Sequence, residues 1–133
     1  MPPKSSPTPS PAARKSGQLK PTLRFRARIT VGDVIAIGPG KIALLEAIDS
    51  TGSITAAAKS LDMSYRRAWL LLDELNRSLR EPAADSAKGG PNGGGSALTD
   101  TGRQLIAVYR RIEATATTAC RSDIQRLTHL LAG

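Results

Sequence analysis

The chain has 133 residues, room for one domain with a modest core, and its one Trp, two Tyr and one Phe leave that core to be built from Leu, Ile, Val and Ala. Lysine and arginine outnumber the acids 19 to 11, which points to an anionic partner, nucleic acid before an acidic membrane surface. A single cysteine, Cys120, excludes an intrachain disulfide and fits a reducing cytoplasm; no apolar run approaches the roughly 18 residues of a membrane span, and the proline-rich start lacks the apolar stretch of a secretory signal.

Residues 1–21 hold six of the nine prolines among Ser, Lys, Ala and Thr, a composition that cannot bury enough apolar surface to order itself. They read as a disordered basic tail, either an added attraction for phosphates or a solubilising extension. Seven basic residues and no acid fall within residues 1–30, leaving twelve against eleven for the rest, so overall charge says little about the remainder. From Leu23 to Val31 the alternation is complete, Leu23, Phe25, Ala27, Ile29 and Val31 against Arg24, Arg26, Arg28 and Thr30, which predicts a strand with one face on a core. The arginine row is a solvated face, a track for a phosphate backbone or a contact for a partner subunit. Gly32-Asp33 turns the chain, and Val34 to Ile37 pairs back as a short second strand. Pro39 stands at or just before the start of a helix over Lys41 to Ser50, with Leu44, Leu45 and Ile48 on one face, Lys41, Glu46 and Asp49 largely outside it, and Gly52 as its C-terminal cap.

Residues 53–79 carry two short helix patterns separated by a tight break. Ser53 is a good N-cap, and Ala56, Ala57 and Ala58 combine high helix propensity with side chains small enough for close packing. Leu61-Asp62-Met63 interrupts the pattern and Ser64 supplies a second N-cap. Ala68, Leu72, Leu75 and Leu79 then recur at helical spacing, so this second helix has one apolar face. Tyr65, Arg66 and Arg67 fall in its first turn. A helix N-terminus favours acids, so two arginines there oppose local stability. Either they form a solvated polar face, or the helix enters the major groove of DNA, where the second helix of a helix-turn-helix reads bases with its N-terminal residues and an arginine fork suits guanine or phosphate. Trp69 reads as a core anchor.

Glu81-Pro82 stops this helix, and residues 88–95 are Lys-Gly-Gly-Pro-Asn-Gly-Gly-Gly. A nucleotide-binding loop needs a strand before it and a matching helix start after it, and neither is present. Beside a helix-turn-helix, residues 80–98 read as a hairpin wing, with Gly89, Gly90 and Asn92 at a minor groove and Lys88 at phosphate; a plain linker is the alternative. Thr99 then caps a helix with Asp100 in its first turn and Gly102 allowing close packing. Leu105, Tyr109, Ile112, Ala116, Ile124 and Leu127 continue an apolar stripe over 99–131, about 45 Å of helix at 1.5 Å per residue. One small domain cannot cover that length, so the stripe predicts a coiled-coil-like dimer seam, with Thr115, Thr117 and Thr118 marking a bend and Cys120 semi-buried on the helix. The expected fold is mainly α with a small β component: a tail (1–21) and a winged helix-turn-helix domain (22–133) with a long C-terminal dimerisation helix.

Gly-Ser-Ile-Thr-Ala-Ala-Ala-Lys (52–59), Met-Ser-Tyr-Arg-Arg-Ala-Trp (63–69), Glu-Leu-Asn (74–76), the glycine-rich loop (89–95) and Leu-Thr-Asp-Thr-Gly (98–102) together resemble the N-terminal DNA-binding domain of the ModE-type molybdate-responsive regulators, itself related to the winged helix-turn-helix of LysR-type regulators. The resemblance covers roughly residues 23–115. It implies a dimer on an inverted-repeat operator, Ser64, Tyr65, Arg66 and Arg67 at the DNA, and Ser53 and Thr55 on phosphate at the start of the preceding helix. Full-length members continue into molybdate-binding domains whereas this sequence ends at Gly133, so oxyanion sensing does not carry over.

Three functions follow as expectations: a bacterial, cytoplasmic, nucleoid-associated regulator that binds double-stranded DNA as a homodimer and controls molybdenum-related genes; an interaction protein that modulates a full-length relative by heterodimerisation; or a sequence-indifferent nucleoid binder. No metal, cofactor or membrane role is expected. With His129 as the only histidine and no nucleophile, base and orienting group to assemble, an enzyme is not expected either.

Overall fold

A computed structural model of the chain describes residues 19–86 and 95–132. It falls into two units, residues 26–115 and the flanking stretches up to 25 and from 116.

In the first unit, β1 (Ile29–Val31) and β2 (Val34–Ile37) form an antiparallel hairpin turned at Gly32, whose φ of 61° is a left-handed value that glycine adopts freely. The expected strand over 23–31 shrinks to these three residues. β2 has four residues and is β1's only partner among the described residues, with a bulge between Ile29 and Thr30, so none of these residues extends the ladder towards Leu23. Nor does β1 turn a face to the core: Ile29, Val31 and Ala27 are all exposed.

Helix α1 (Pro39–Thr51) starts at Pro39 and ends at Gly52, which takes a φ of 83° and returns its N–H to the Ile48 carbonyl at 2.8 Å. Leu44, Leu45 and Ile48 are fully buried. Lys41, expected outside this face, is instead 4% exposed: its ammonium meets the Glu74 carboxylate at 2.6 Å and also donates to the Ile35 carbonyl. Spacing along α1 alone could not reveal a carboxylate 33 residues later.

Helix α2 (Ile54–Ser60) and helix α3 (Tyr65–Ser78) pack on α1 and on each other. Ala57 and Ala58, both buried, let the backbones approach, and Ala68, Leu72 and Leu75 turn the apolar stripe of α3 inward. The turn between them places Asp62 at φ 61°, a left-handed position that Asp tolerates, while the Met63 N–H closes on the Ala58 carbonyl at 3.0 Å. Each fully buried Leu or Ile contributes about 1.5–3 kcal/mol against exposure, so this three-helix core dominates the unit's stability.

Strands β3 (Ala84–Ser86) and β4 (Ser96–Leu98) pair antiparallel as the base of a hairpin, and β4 also packs on α1. Asn76 of α3 holds this base, accepting from the Ala83 N–H at 2.8 Å. Helix α4 (Asp100–Ala119) follows, capped by Thr99, whose hydroxyl oxygen accepts from the Gly102 N–H at 3.1 Å. Gly102 is needed there: a Cβ would stand 2.1 Å from the Ala83 carbonyl oxygen. Arg110 ties α4 to α1, its fork meeting Glu46 at 2.6 and 3.0 Å and its other nitrogen meeting Glu113 at 2.7 Å; these hydrogen bonds, with Glu46 foremost, hold the guanidinium proton more firmly than usual.

In the second unit, the end of α4 leads into helix α5 (Arg121–His129). The single helix expected over 99–131 is thus two. α4 runs through Thr115, Thr117 and Thr118 without a break and stops at Ala119; Cys120 takes φ −101° and ψ 13°, between the two helices, and is exposed rather than semi-buried. Asp123 in the first turn of α5 and Arg126 and His129 in the last suit a fresh helix dipole.

Candidate nucleic-acid interface

The tip of α3 is set by Ser64, whose extended backbone (φ −72°, ψ 157°) enters the helix and whose hydroxyl oxygen accepts from the Arg67 N–H at 3.0 Å. Tyr65, Arg66 and Arg67 follow in an exposed first turn with no acid in it. Among the described residues neither arginine meets a carboxylate, whereas Lys41, Arg77, Arg103 and Arg110 all do. A cation at a helix N-terminus gains nothing from the helix dipole, and an exposed guanidinium fork is able to donate two parallel hydrogen bonds to an acceptor such as guanine or phosphate.

Trp69, expected in the core, is instead 45% exposed, and Leu70 and Tyr65 are exposed with it. The buried stripe was the signal: Trp69 follows Ala68 by one residue, about 100° round a helix of 3.6 residues per turn. Tyr65 and Trp69, one turn apart, flank Arg66 around a shallow cavity of about 220 Å³. The outward side of α3 therefore combines two guanidiniums with two aromatic rings, a set able to donate hydrogen bonds and to pack on base methyls or sugars.

Ser53 caps α2, accepting from the Ala56 N–H at 3.0 Å, and Thr55 is exposed in its first turn. Lys88, Gly89, Gly90 and Asn92 lie outside the described residues; the hairpin base that would carry them is formed by β3 and β4. Of the residues assigned to a dimer seam in the first unit, Leu105 packs against the core and Tyr109 is 6% exposed, its hydroxyl donating to the Ala27 carbonyl at 2.6 Å. Burial first, then the Glu113 carboxylate, raises the Tyr109 pKa above its ordinary value. Ile112 and its neighbour Val108 are exposed. In the second unit Ala116 and Ile124 are half-buried, and Leu127, Leu130 and Leu131 are exposed. No helix among the described residues is long and apolar enough to cross a membrane.

No protein-family model matches the chain. It is 38% identical over 112 residues to the "Molybdenum transport protein ModE" of Azotobacter vinelandii, covering 83% of this chain and 42% of that one. It is 37% identical over 87 residues to the "Transcriptional regulator ModE" of Haemophilus influenzae, covering 65% of this chain and 34% of that one. The chain thus spans less than half the length of these curated relatives. Among solved structures, a CbnR_DBD–DNA complex matches 65% of this chain and 95% of its own, at a TM-score of 0.50 and 23% identity, which fits the winged helix-turn-helix architecture described above.

Proposed function

We propose that this chain, a relative of the ModE-type regulators, is a sequence-specific DNA-binding transcriptional regulator whose α3 enters the major groove. The observation that carries the proposal is the pair of exposed, carboxylate-free arginines at the capped tip of α3. Ser64, Tyr65, Arg66 and Arg67 face base edges and nearby phosphates, Ser53 and Thr55 meet the backbone at the start of α2, and Lys88, Gly89, Gly90 and Asn92 belong to the wing. Such a regulator works in the cytoplasm, where the DNA is. The names of the relatives support molybdenum-related target genes.

The binding form is a homodimer. Supporting this are the exposed Val108 and Ile112 on α4 and, in the other unit, the exposed Leu127, Leu130 and Leu131, apolar side chains that a second copy would cover. A two-fold pair of α3 helices reads half-sites about 34 Å apart, so the site is near-palindromic. Selection of bound duplexes from a random pool tests the reading. Enrichment of an inverted repeat with half-sites about one helical turn apart is the expected result; a pool that emerges as random as it entered overturns it.

A further inference from the structure

Beside the tip of α3 lies a second recess, of about 250 Å³. Arg26 and Arg28 line it from the segment before β1, Lys41 from the start of α1, and Arg67, Leu71 and Glu74 from α3. Four cations and one carboxylate therefore share one opening. The carboxylate is already engaged, because Glu74 binds the Lys41 ammonium at 2.6 Å. Arg26, Arg28 and Arg67 have no carboxylate partner among the described residues. The recess is also held in place: the Tyr109 hydroxyl donates to the Ala27 carbonyl, fixing the backbone between Arg26 and Arg28, and the buried Lys41 donates to the Ile35 carbonyl as well as to Glu74. Gly40, one of the lining residues, is exposed.

Three like charges around an open cavity repel one another until an anion enters, and a guanidinium fork matches a tetrahedral oxyanion with two parallel N–H donors. Arg67 belongs both to this recess and to the first turn of α3. From this arrangement we infer that the recess is a phosphate site, filled by one backbone phosphate of the duplex that α3 reads. This rests on the DNA-binding reading and divides the two arginines of the tip: Arg67 grips phosphate together with Arg26 and Arg28, and Arg66 reads bases. Register on the duplex is set by a clamp outside the helix-turn-helix, and of the three readings the arginine row allowed in the sequence this selects the phosphate track, for Arg26 and Arg28 together with Arg67.

The test is titration of the wild type, R26A/R28A and R26K/R28K with the selected duplex and with an unrelated one across a range of salt, with melting curves to confirm folding. For R26A/R28A the inference expects affinity to fall by the same factor on both duplexes and the slope of log affinity against log salt to flatten by about one, the signature of one lost phosphate contact. R26K/R28K keeps the slope, because charge is retained. A folded R26A/R28A that binds with the wild-type slope overturns the inference while leaving the proposed function intact. A loss confined to the selected duplex overturns it in favour of base readout. Inorganic phosphate is titrated separately into the free protein; a complex that the duplex does not displace makes the recess a site for free phosphate and equally overturns it. Wild-type protein that binds neither duplex removes the proposed function and this inference together.

Discussion

Helices α1 and α3 are nearly equal in length, 13 and 14 residues, and both lie on the same core, yet they use their polar side chains in opposite ways. α1 buries six residues, among them its lysine, and two of its three charged groups are answered from within the chain: Lys41 by Glu74 and Glu46 by Arg110. α3 buries three residues and leaves Tyr65, Arg66, Arg67, Trp69 and Leu70 exposed at its leading end, with both arginines unanswered among the described residues. Charge on α1 therefore joins elements together, whereas the two arginines at the tip of α3 join nothing among the described residues. Changes on the buried apolar face of α1 should move stability and leave recognition alone; changes to the exposed arginines at the tip of α3 should do the reverse.

The largest expected effect is on the α1 side. Leu45→Ala removes a fully buried side chain and should cost about 2–5 kcal/mol of unfolding free energy in a urea titration. The molecules that remain folded should bind DNA as the wild type does; a cost near zero would remove α1 from the core. Arg66→Ala comes next. It should leave stability within about 0.5 kcal/mol, as for a surface substitution, while weakening binding to the selected duplex by about 1–3 kcal/mol. Melting of the protein by this substitution, in place of lost recognition, would erase the contrast between the helices.

Ser64→Ala sharpens the comparison because Ser64 serves both roles. Loss of its cap on the Arg67 N–H should cost about 1 kcal/mol of stability, and loss of orientation at the tip should lower affinity as well. Calorimetry and DNA titration on one preparation separate the two effects. Tyr109→Phe is the smallest, about 1 kcal/mol from one hydrogen bond, and it carries a pH signature. The folded pKa of Tyr109 is raised above the ordinary 10.0 by burial and then by Glu113. The stabilisation is accordingly complete below that ordinary value and is lost as pH rises through the folded one. Melting temperatures followed into alkaline pH should fall more steeply for the wild type than for Tyr109→Phe; parallel curves would contradict the assignment.

The contrast between the helices was only half legible in the sequence. Local signals are legible there: Ser53 and Ser64 cap α2 and α3, Gly52 closes α1 in a left-handed conformation, and Gly102 sits where a Cβ would strike the Ala83 carbonyl. Such features depend on neighbours a few residues away or on backbone geometry peculiar to glycine. Features that depend on distant partners are not legible in local sequence. The burial of Lys41 requires Glu74, the short β1 reflects the shortness of β2, and the exposure of Trp69 follows from which side of α3 meets α1 and α2. The break at Cys120 has no glycine or proline to announce it. For the site, the order of the helices and the residues at the α3 tip were visible in the sequence, but the recess joining Arg26 and Arg28 to Arg67 exists only once the chain has folded back on itself.

The account is tested most directly by measuring how well the wild type and Arg66→Ala distinguish the selected duplex from one with its preferred base pairs exchanged, under conditions where both proteins have the same melting curve. The wild type should discriminate strongly and the variant should bind the two duplexes almost alike. A variant that keeps the wild-type ratio would mean that the tip of α3 does not read sequence.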